Sequence, residues 1–326
     1  MRDDYIERIR KSIGPRCLLC VRQLNKAQTN IGVCLRWRSA FNGVITRAGM
    51  NYRHAFHAGG RADCIKHVVF VGLCRALTRK RKPLFVLDTH AGRGAYDLES
   101  EAARRTCEAG TGIARLLSEN AAELADYLGL VRAFSCGPRW YPGSPELARA
   151  VLREGDRLAL CELHPEDAAA LRQRYRHESR IQVHCRDGYE AVHALLPPPE
   201  RRALILIDPP FEQPDEFEKI AATVDRGRQR FPAGVFCVWY PLKHRAPVRL
   251  FHADLLARRI PDILDFQITW RDPVDPARLN GCGILLHNAP FGFSSNAETL
   301  LRAAAPAFSE TDGSVTITRL ADELAF

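Results

Sequence analysis

The chain reads as an α/β protein built on a mostly parallel, Rossmann-like sheet. Three observations predict it. Ala203-Leu-Ile-Leu-Ile207 is a short, continuous apolar run without helical spacing, bounded by Arg201-Arg202 and Pro209-Pro210, as in a strand buried on both faces. Between residues 157 and 239, strand-like and helix-like stretches alternate, as in successive β-α-β units. Acids stand at or just past the ends of four strands: Asp88, Glu162, Asp187 and Asp208. A parallel sheet takes its ligands at the carboxyl ends of its strands, so these acids point to one rim.

Taken in order, the chain first offers a segment unlike the rest. Residues 1–49 hold ten Lys/Arg against three acids, which is +7 of the total net charge of +9. The remaining residues carry only +2, so a basic binding face in the main body must come from uneven distribution rather than excess. The segment lacks the apolar stretch and cleavage site of a secretory signal, and Asp3, Asp4 and Glu7 are out of place in an organelle presequence. The abrupt change of character at Met50 leads us to expect the native start there. Residues 1–49 are then an extension that is disordered or not native, and 50–326 are the functional domain. The eleven cysteines follow no repeated spacing, and Cys161, Cys185 and Cys237 fall inside element patterns, as small buried side chains in a reducing cytoplasm do. Cys17-Leu-Leu-Cys20 has only Cys34 for company, which does not make a zinc site, and no metal is expected. No stretch approaches the ~20 apolar residues of a membrane span.

From Tyr52-Arg-His-Ala-Phe-His57 the chain enters a helix. Asp63 is expected to cap it, and Ile65, Val68, Val69, Leu73 and Leu77 lie on one face. Lys66 and His67 lie in its first turns, where the helix dipole disfavours cations, so they are expected to answer a ligand. Lys82-Pro83 closes this stretch, and Leu84-Phe-Val-Leu87 is a strand. Asp88-Thr-His-Ala-Gly-Arg-Gly94 follows; its glycines let backbone approach a nucleotide closely, but the third glycine of a dinucleotide fingerprint is missing. That weighs against a nicotinamide-dependent oxidoreductase. Residues 97–141 carry helical patterns and no good strand, so they are read as a small helical insertion. Its arginines 104, 105, 115, 132 and 139 suit a solvated face better than a phosphate site. Tyr141-Pro-Gly-Ser144-Pro145 then opens a helix, with Ser144 as the expected cap.

The remaining strands are Arg157–Cys161, Ile181–Cys185, Ala203–Ile207 and Val235–Trp239, with helices between them. Two further strands, Ile263–Trp270 and Gly281–Leu286, are joined without a helix and so must pair antiparallel. A final helix and a weak strand at Val315–Thr318 complete the chain. A parallel sheet closed by an antiparallel last strand is the class I S-adenosylmethionine-dependent methyltransferase arrangement, seven-stranded here. At its centre, Asp208-Pro-Pro-Phe211 holds a carboxylate, the free carbonyl of Pro209 and an aromatic ring on a stiff turn. An exocyclic amine needs acceptors for its two N–H groups, and a flat base needs a ring to stack on.

At this point the residues resemble a family. Tyr52-Arg-His-Ala-Phe-His-Ala-Gly59 with Asp63 and Lys66-His67, Leu87-Asp-Thr-His-Ala-Gly92, Tyr141-Pro-Gly-Ser-Pro145, Glu162-Leu-His-Pro165, Arg186-Asp-Gly188 and Leu206-Ile-Asp-Pro-Pro210 are similar, in order, to the motifs of the large-subunit ribosomal RNA methyltransferase J family. The resemblance implies methyl transfer from S-adenosyl-L-methionine to the N6 amine of one adenine in 23S ribosomal RNA. The protein is expected to act as a cytoplasmic monomer without membrane attachment. The resemblance also implies cofactor contacts at His67, His90, Ser144, Glu162, Asp187 and Gly188, catalysis at Asp208 and a substrate contact at Tyr52; the substrate contacts at Pro209 and Phe211 are expected from the turn itself. The family commonly has tyrosine where this chain has Phe211, which keeps the stacking face and loses a hydroxyl. Two other readings share the residues. A DNA adenine-N6 methyltransferase usually carries a recognition domain larger than 97–141. A non-catalytic RNA-binding protein would have little use for an acid at every strand end.

Overall fold

In the computed structural model, described for residues 53–134, 137, 139–310 and 314–322, ten strands and eleven α-helices follow one another from Arg61 onward. Helix α1 (Arg61–Thr78) precedes β1 (Phe85–Asp88). A short strand β2 (Ala95–Asp97) leads into four helices, α2 (Glu101–Thr106), α3 (Glu108–Thr111), α4 (Ile113–Glu119) and α5 (Ala125–Ala133), and β3 (Trp140–Pro142) leads out. Then come α6 (Ser144–Val151), β4 (Arg157–Cys161), α7 (Pro165–Tyr175), β5 (Ile181–His184), α8 (Gly188–Leu195), β6 (Ala203–Ile207), α9 (Glu216–Arg230) and β7 (Gly234–Leu242). The chain closes with α10 (Arg245–Ala257), β8 (Ile263–Thr269), β9 (Gly281–His287), α11 (Phe293–Phe308) and β10 (Ser314–Ala321).

The main sheet has the order β10-β8-β9-β7-β6-β1-β4-β5. Strands β5, β4, β1, β6 and β7 pair parallel, and β9 pairs antiparallel with both β7 and β8. The sequence leads one to expect seven strands; there are eight. The weak C-terminal stretch is a full strand that pairs antiparallel with β8 along the sheet edge. The insertion is also framed by strand, not helix alone. Ala95–Asp97 pairs antiparallel with Trp140–Pro142, so the helices between leave and return through one two-stranded neck, with Arg139 bound to Asp97.

Alternate residues of the parallel strands supply two cores, as pleating requires. Val86, Leu158, Leu160, Leu204 and Leu206 face α1, α6, α7, α11 and the insertion. Phe85, Leu87, Ala159, Ile205 and Ile207 face α8, α9 and α10. Ile113, Leu116, Tyr127 and Leu128 of the insertion join the first core, so it packs as part of the domain. On the antiparallel side, Tyr240 of β7 reaches across β9 to donate to Asp265 of β8 at 2.7 Å. It passes over Gly283, the β9 residue paired with it, where a Cβ would lie 1.9 Å from the ring. Cys161 and Cys237 are buried, as their patterns suggest; Cys185 is exposed, because β5 ends one residue before it.

Candidate active site

The chain passes from β5, at the edge of the sheet, back across β4 and β1 to β6 in its middle. Ligand crevices in open α/β sheets form where the order reverses in this way. Asp88, the last residue of β1, is in register with Leu160 of β4 and Leu206 of β6, which brings Glu162 and Asp208 to the same edge. Asp88 is buried and takes the Ser144 hydroxyl at 2.6 Å and the His90 N–H at 3.3 Å. Burial pushes its carboxyl up to about 6, against the help of the Ser144 bond. Ser144 is therefore not the cap expected of it. Gly143 occupies the cap position, which leaves the Ser144 hydroxyl free to hold Asp88.

Glu162 follows β4. Its two oxygens accept N–H groups of Gly92 at 2.8 Å and His164 at 2.7 Å, and burial raises its pKa above the ordinary range. Each oxygen keeps a second lone pair for a hydroxyl donor. Gly92 has φ of 60°, and a Cβ there would meet the Tyr96 hydroxyl at 2.0 Å, so the turn that presents its N–H requires glycine. Asp187 caps α8: one oxygen accepts the N–H groups of Tyr189 and Glu190 at 2.8 and 3.0 Å. Gly188 begins that helix against the β1 loop, with a Cβ position 2.2 Å from the Thr89 carbonyl. His90 lies between these parts. Its Nδ1 is 2.8 Å from the Thr89 hydroxyl and its ring packs edge-on against Tyr189. Burial pushes it down to about 4, so it is neutral near pH 7 even though Asp208 and Asp187 act in the opposite direction.

Beneath the rim lies a buried ion cluster. Asp63 does not cap α1. Gly60 does, and Asp63 sits two residues into the helix, reaching back to the Gly59 N–H at 3.0 Å. From the next turn, the Lys66 ammonium bridges Asp63 at 2.8 Å and Asp208 at 2.5 Å, with 5% of its side chain exposed. An ammonium leaves water only at a cost of several kcal/mol, and two carboxylates offset that here. Burial opposes its charge, and Asp208 and Asp63 together hold its pKa well above the ordinary lysine range. Asp63 is likewise penalised by burial, and the facing His67, Lys66 and His54 hold it well below the usual carboxylate range. His67 bonds through Nδ1 to the Tyr141 hydroxyl at 2.7 Å, and Tyr141 in turn bonds Tyr127 of the insertion at 2.8 Å. Burial drives His67 down to about 3, so it is neutral.

Asp208 has 13% of its side chain exposed, and Pro209-Pro210 lead to Phe211. Phe211 has φ of 52°, a left-handed backbone uncommon for an aromatic residue and characteristic of functional loops. Its ring is half-buried and lies edge-on to Phe217 and Trp239 at 5.1 and 5.9 Å. The structure thus brings together His90, Ser144, Glu162, Asp187, Gly188, Asp208, Pro209 and Phe211 along one rim. His67 lies in the layer below, with its side chain 1% exposed. Tyr52 and the Cys17–Cys20 pair lie outside the described residues. Lys66 and Trp239 complete the picture. The odd placement of a cation in the first turns of a helix was a usable signal for Lys66; nothing local marked Trp239. Among the described residues, no group of three or more His, Cys, Asp or Glu is placed to hold a metal ion, and no helix is long and apolar enough to cross a membrane.

A parallel sheet in this order, joined to an antiparallel β8–β9 pair and carrying an acid at the end of each central strand, is the class I methyltransferase fold. The family model described as "Ribosomal RNA large subunit methyltransferase D, RlmJ" matches residues 81–320. Two curated proteins named ribosomal RNA large subunit methyltransferase J are similar: one from Escherichia coli, 39% identical over 77% of this chain and 91% of its own length, and one from Haemophilus influenzae, 35% identical over 77% and 92%. A crystal structure from Legionella pneumophila is 34% identical, with a TM-score of 0.74 over 81% of this chain and 98% of that one. The chain belongs to the ribosomal RNA large subunit methyltransferase J family.

Proposed function

We propose that this protein methylates the N6 amine of one adenine in 23S ribosomal RNA, with S-adenosyl-L-methionine as donor, acting as a cytoplasmic monomer through residues 50–326. The observation that carries the reading is the carboxylate of Asp208, clamped by Lys66 and set beside the Pro209 carbonyl and the Phe211 ring at the end of the central strand.

The donor set of the rim fits the cofactor. Glu162 has lone pairs left for the two ribose hydroxyls, the second oxygen of Asp187 is clear of the α8 cap for an amino group, and Gly188 keeps the floor open. Neutral His90, and Ser144 through Asp88, line the space between, while His67 supports Asp63 and Lys66 from below. Bound there, S-adenosylmethionine would supply an electrophilic methyl group that needs no metal.

The adenine amine is a weak nucleophile because its lone pair is delocalised into the ring. Asp208 and the Pro209 carbonyl accept its two N–H groups and turn the nitrogen lone pair toward the methyl group, so that alignment supplies much of the rate. A carboxylate fixed by Lys66 cannot swing away from that pose. Asp208 would take one N6 proton as the nitrogen gains the methyl group, and the bound donor would be left as a neutral thioether. The target base must leave its stack to reach Phe211, whose half-buried ring is held edge-on by Phe217 and Trp239.

The test is transfer of a labelled methyl group to unmodified 23S RNA, with mapping of the product. Label on N6 of one adenine is the expected result. Label on DNA alone, or none on either nucleic acid, sinks the reading.

A further inference from the structure

The loop that joins α1 to β1 is Arg79-Lys80-Arg81-Lys82, and all four residues are exposed. It lies at the edge of the sheet opposite the strand-end acids, since it feeds the start of β1. None of the four side chains makes a hydrogen bond or ion pair with the described residues. The backbone beneath them is held from two directions. Arg153 donates to the carbonyls of Thr78 at 3.0 Å, Lys80 at 2.7 Å and Lys82 at 3.1 Å. Arg202 donates to those of Lys82 at 2.6 Å and Leu77 at 2.7 Å.

A bland account of such a loop is that cations gather at a helix C-terminus, where they answer the dipole and the last free carbonyls. Here that need is already met, because Arg153 and Arg202 bind those carbonyls. Of these two, Asp156 neutralises Arg153; Arg202 makes no ion pair with the described residues, and burial and the Arg153 charge lower its pKa. Four further cations are therefore surplus to the fold. They repel one another, and their backbone is pinned rather than left to spread them. Elsewhere the charge runs the other way: the insertion between residues 97 and 141 holds five arginines against seven acids, a net charge of −2. In a domain that is nearly neutral overall, this loop is the one place where four cations follow one another in sequence.

We infer that the loop is a second RNA contact, a pinned set of cations that takes phosphates of the substrate's backbone away from the target base. The inference rests on the proposed RNA substrate. Lys66 and Arg79 are thirteen residues apart along and just beyond α1, so the two contacts are roughly 20 Å apart at the helical rise. Only an RNA large enough to pass along the α1 side of the domain reaches both. A short stem carrying the target adenine reaches the rim alone.

The experiment compares the full-length protein with a variant in which Arg79, Lys80, Arg81 and Lys82 are changed to Gln. A control variant has Arg226, Arg259, Arg302 and Arg319 changed to Gln, which removes the same charge from other exposed positions. Binding of unmodified 23S RNA is followed against salt, and methyl transfer is followed on that RNA and on a short target stem. Neutralising four phosphate contacts lowers the slope of log affinity against log salt by about 3 and raises KM for the long RNA by roughly tenfold or more. Turnover of the short stem and kcat on the long RNA stay at the wild-type level, and the control shifts the slope little. An unchanged slope and KM in the loop variant overturn the inference, as does an equal fall in the control. A wild-type protein without salt-dependent RNA affinity overturns it too. A wild-type protein that binds the RNA but transfers no methyl group defeats the proposed reaction, while the slopes still decide on the loop.

Discussion

Two acids on the two halves of the sheet, Asp265 buried and Asp208 partly exposed, show what separates a structural network from a working one. On the antiparallel side, Asp265 is 1% exposed. It accepts the Tyr240 hydroxyl at 2.7 Å and the Gln267 amide at 2.9 Å, and it faces His252 at 3.3 Å. Every partner is protein and the set closes on itself. On the parallel side, Asp208 is held by Lys66 through one oxygen, and the other has no hydrogen bond from the described residues. It sits at a strand end beside an aromatic ring in a left-handed backbone. Both acids are expensive to bury, and their surroundings offset the cost differently. The closed set spends its lone pairs on the fold; the open one keeps an acceptor facing outward.

The sharpest way to break that contrast is to remove each acid. Asp208→Ala should abolish methyl transfer, with a loss of about 10³-fold or more, since alignment by a fixed acceptor is worth several kcal/mol. Its thermal midpoint should fall only in part, because Lys66 loses one of its two carboxylates and retains Asp63. Asp265→Ala should do the reverse. It strands a buried hydroxyl, an amide and an imidazole, and should lower stability by about 3 kcal/mol in denaturant titration, while turnover per folded molecule is kept. Equal activity losses in the two variants would erase the distinction.

A smaller effect sharpens it through pH. His67 and His90 are driven by burial to about 3 and 4 in the folded protein, whereas each binds a proton near 6.5 when unfolded. Between pH 6 and 4 the unfolded chain therefore takes up two protons that the folded one does not. Asp88 works against this. Its folded carboxyl binds a proton from about 6 down, and the unfolded one only near 3.8. For these three groups the balance is one proton in favour of the unfolded state, so together they should lower stability by about 1.4 kcal/mol per pH unit as pH drops through this window. His67→Gln should remove most of that slope. A denaturation midpoint that stays level from pH 6 to 4 would show that the buried rings are not neutral.

Much of the fold was legible because its strands are double-sided. Arg157–Cys161 and Ala203–Ile207 have the boundaries their apolar runs suggest, and the missing helix between β8 and β9 fixes their antiparallel pairing. The misses share a cause. Strands β2 and β3 are three residues each, too short to show a period, and β10 lies on the edge with alternate residues exposed, so its pattern reads weakly. At the site, strand-end acids are visible as letters after apolar runs. The Lys66–Asp208 bridge is not, because it joins residues 142 apart and depends on α1 lying across β6. Ser144 misled because Ser-Pro at a helix start has a sufficient local explanation, and Gly143 next to it does the same job.

Gly283 makes three strands answer to one another. Its bare Cα is the gap through which the Tyr240 phenol reaches Asp265 two strands away. A single methyl added on the middle strand would displace the ring and leave a carboxylate short of its donor on a strand that had not itself changed. Residue 283 can carry a side chain only if the phenol at 240 gives way to something smaller, so a choice on one strand limits the other two.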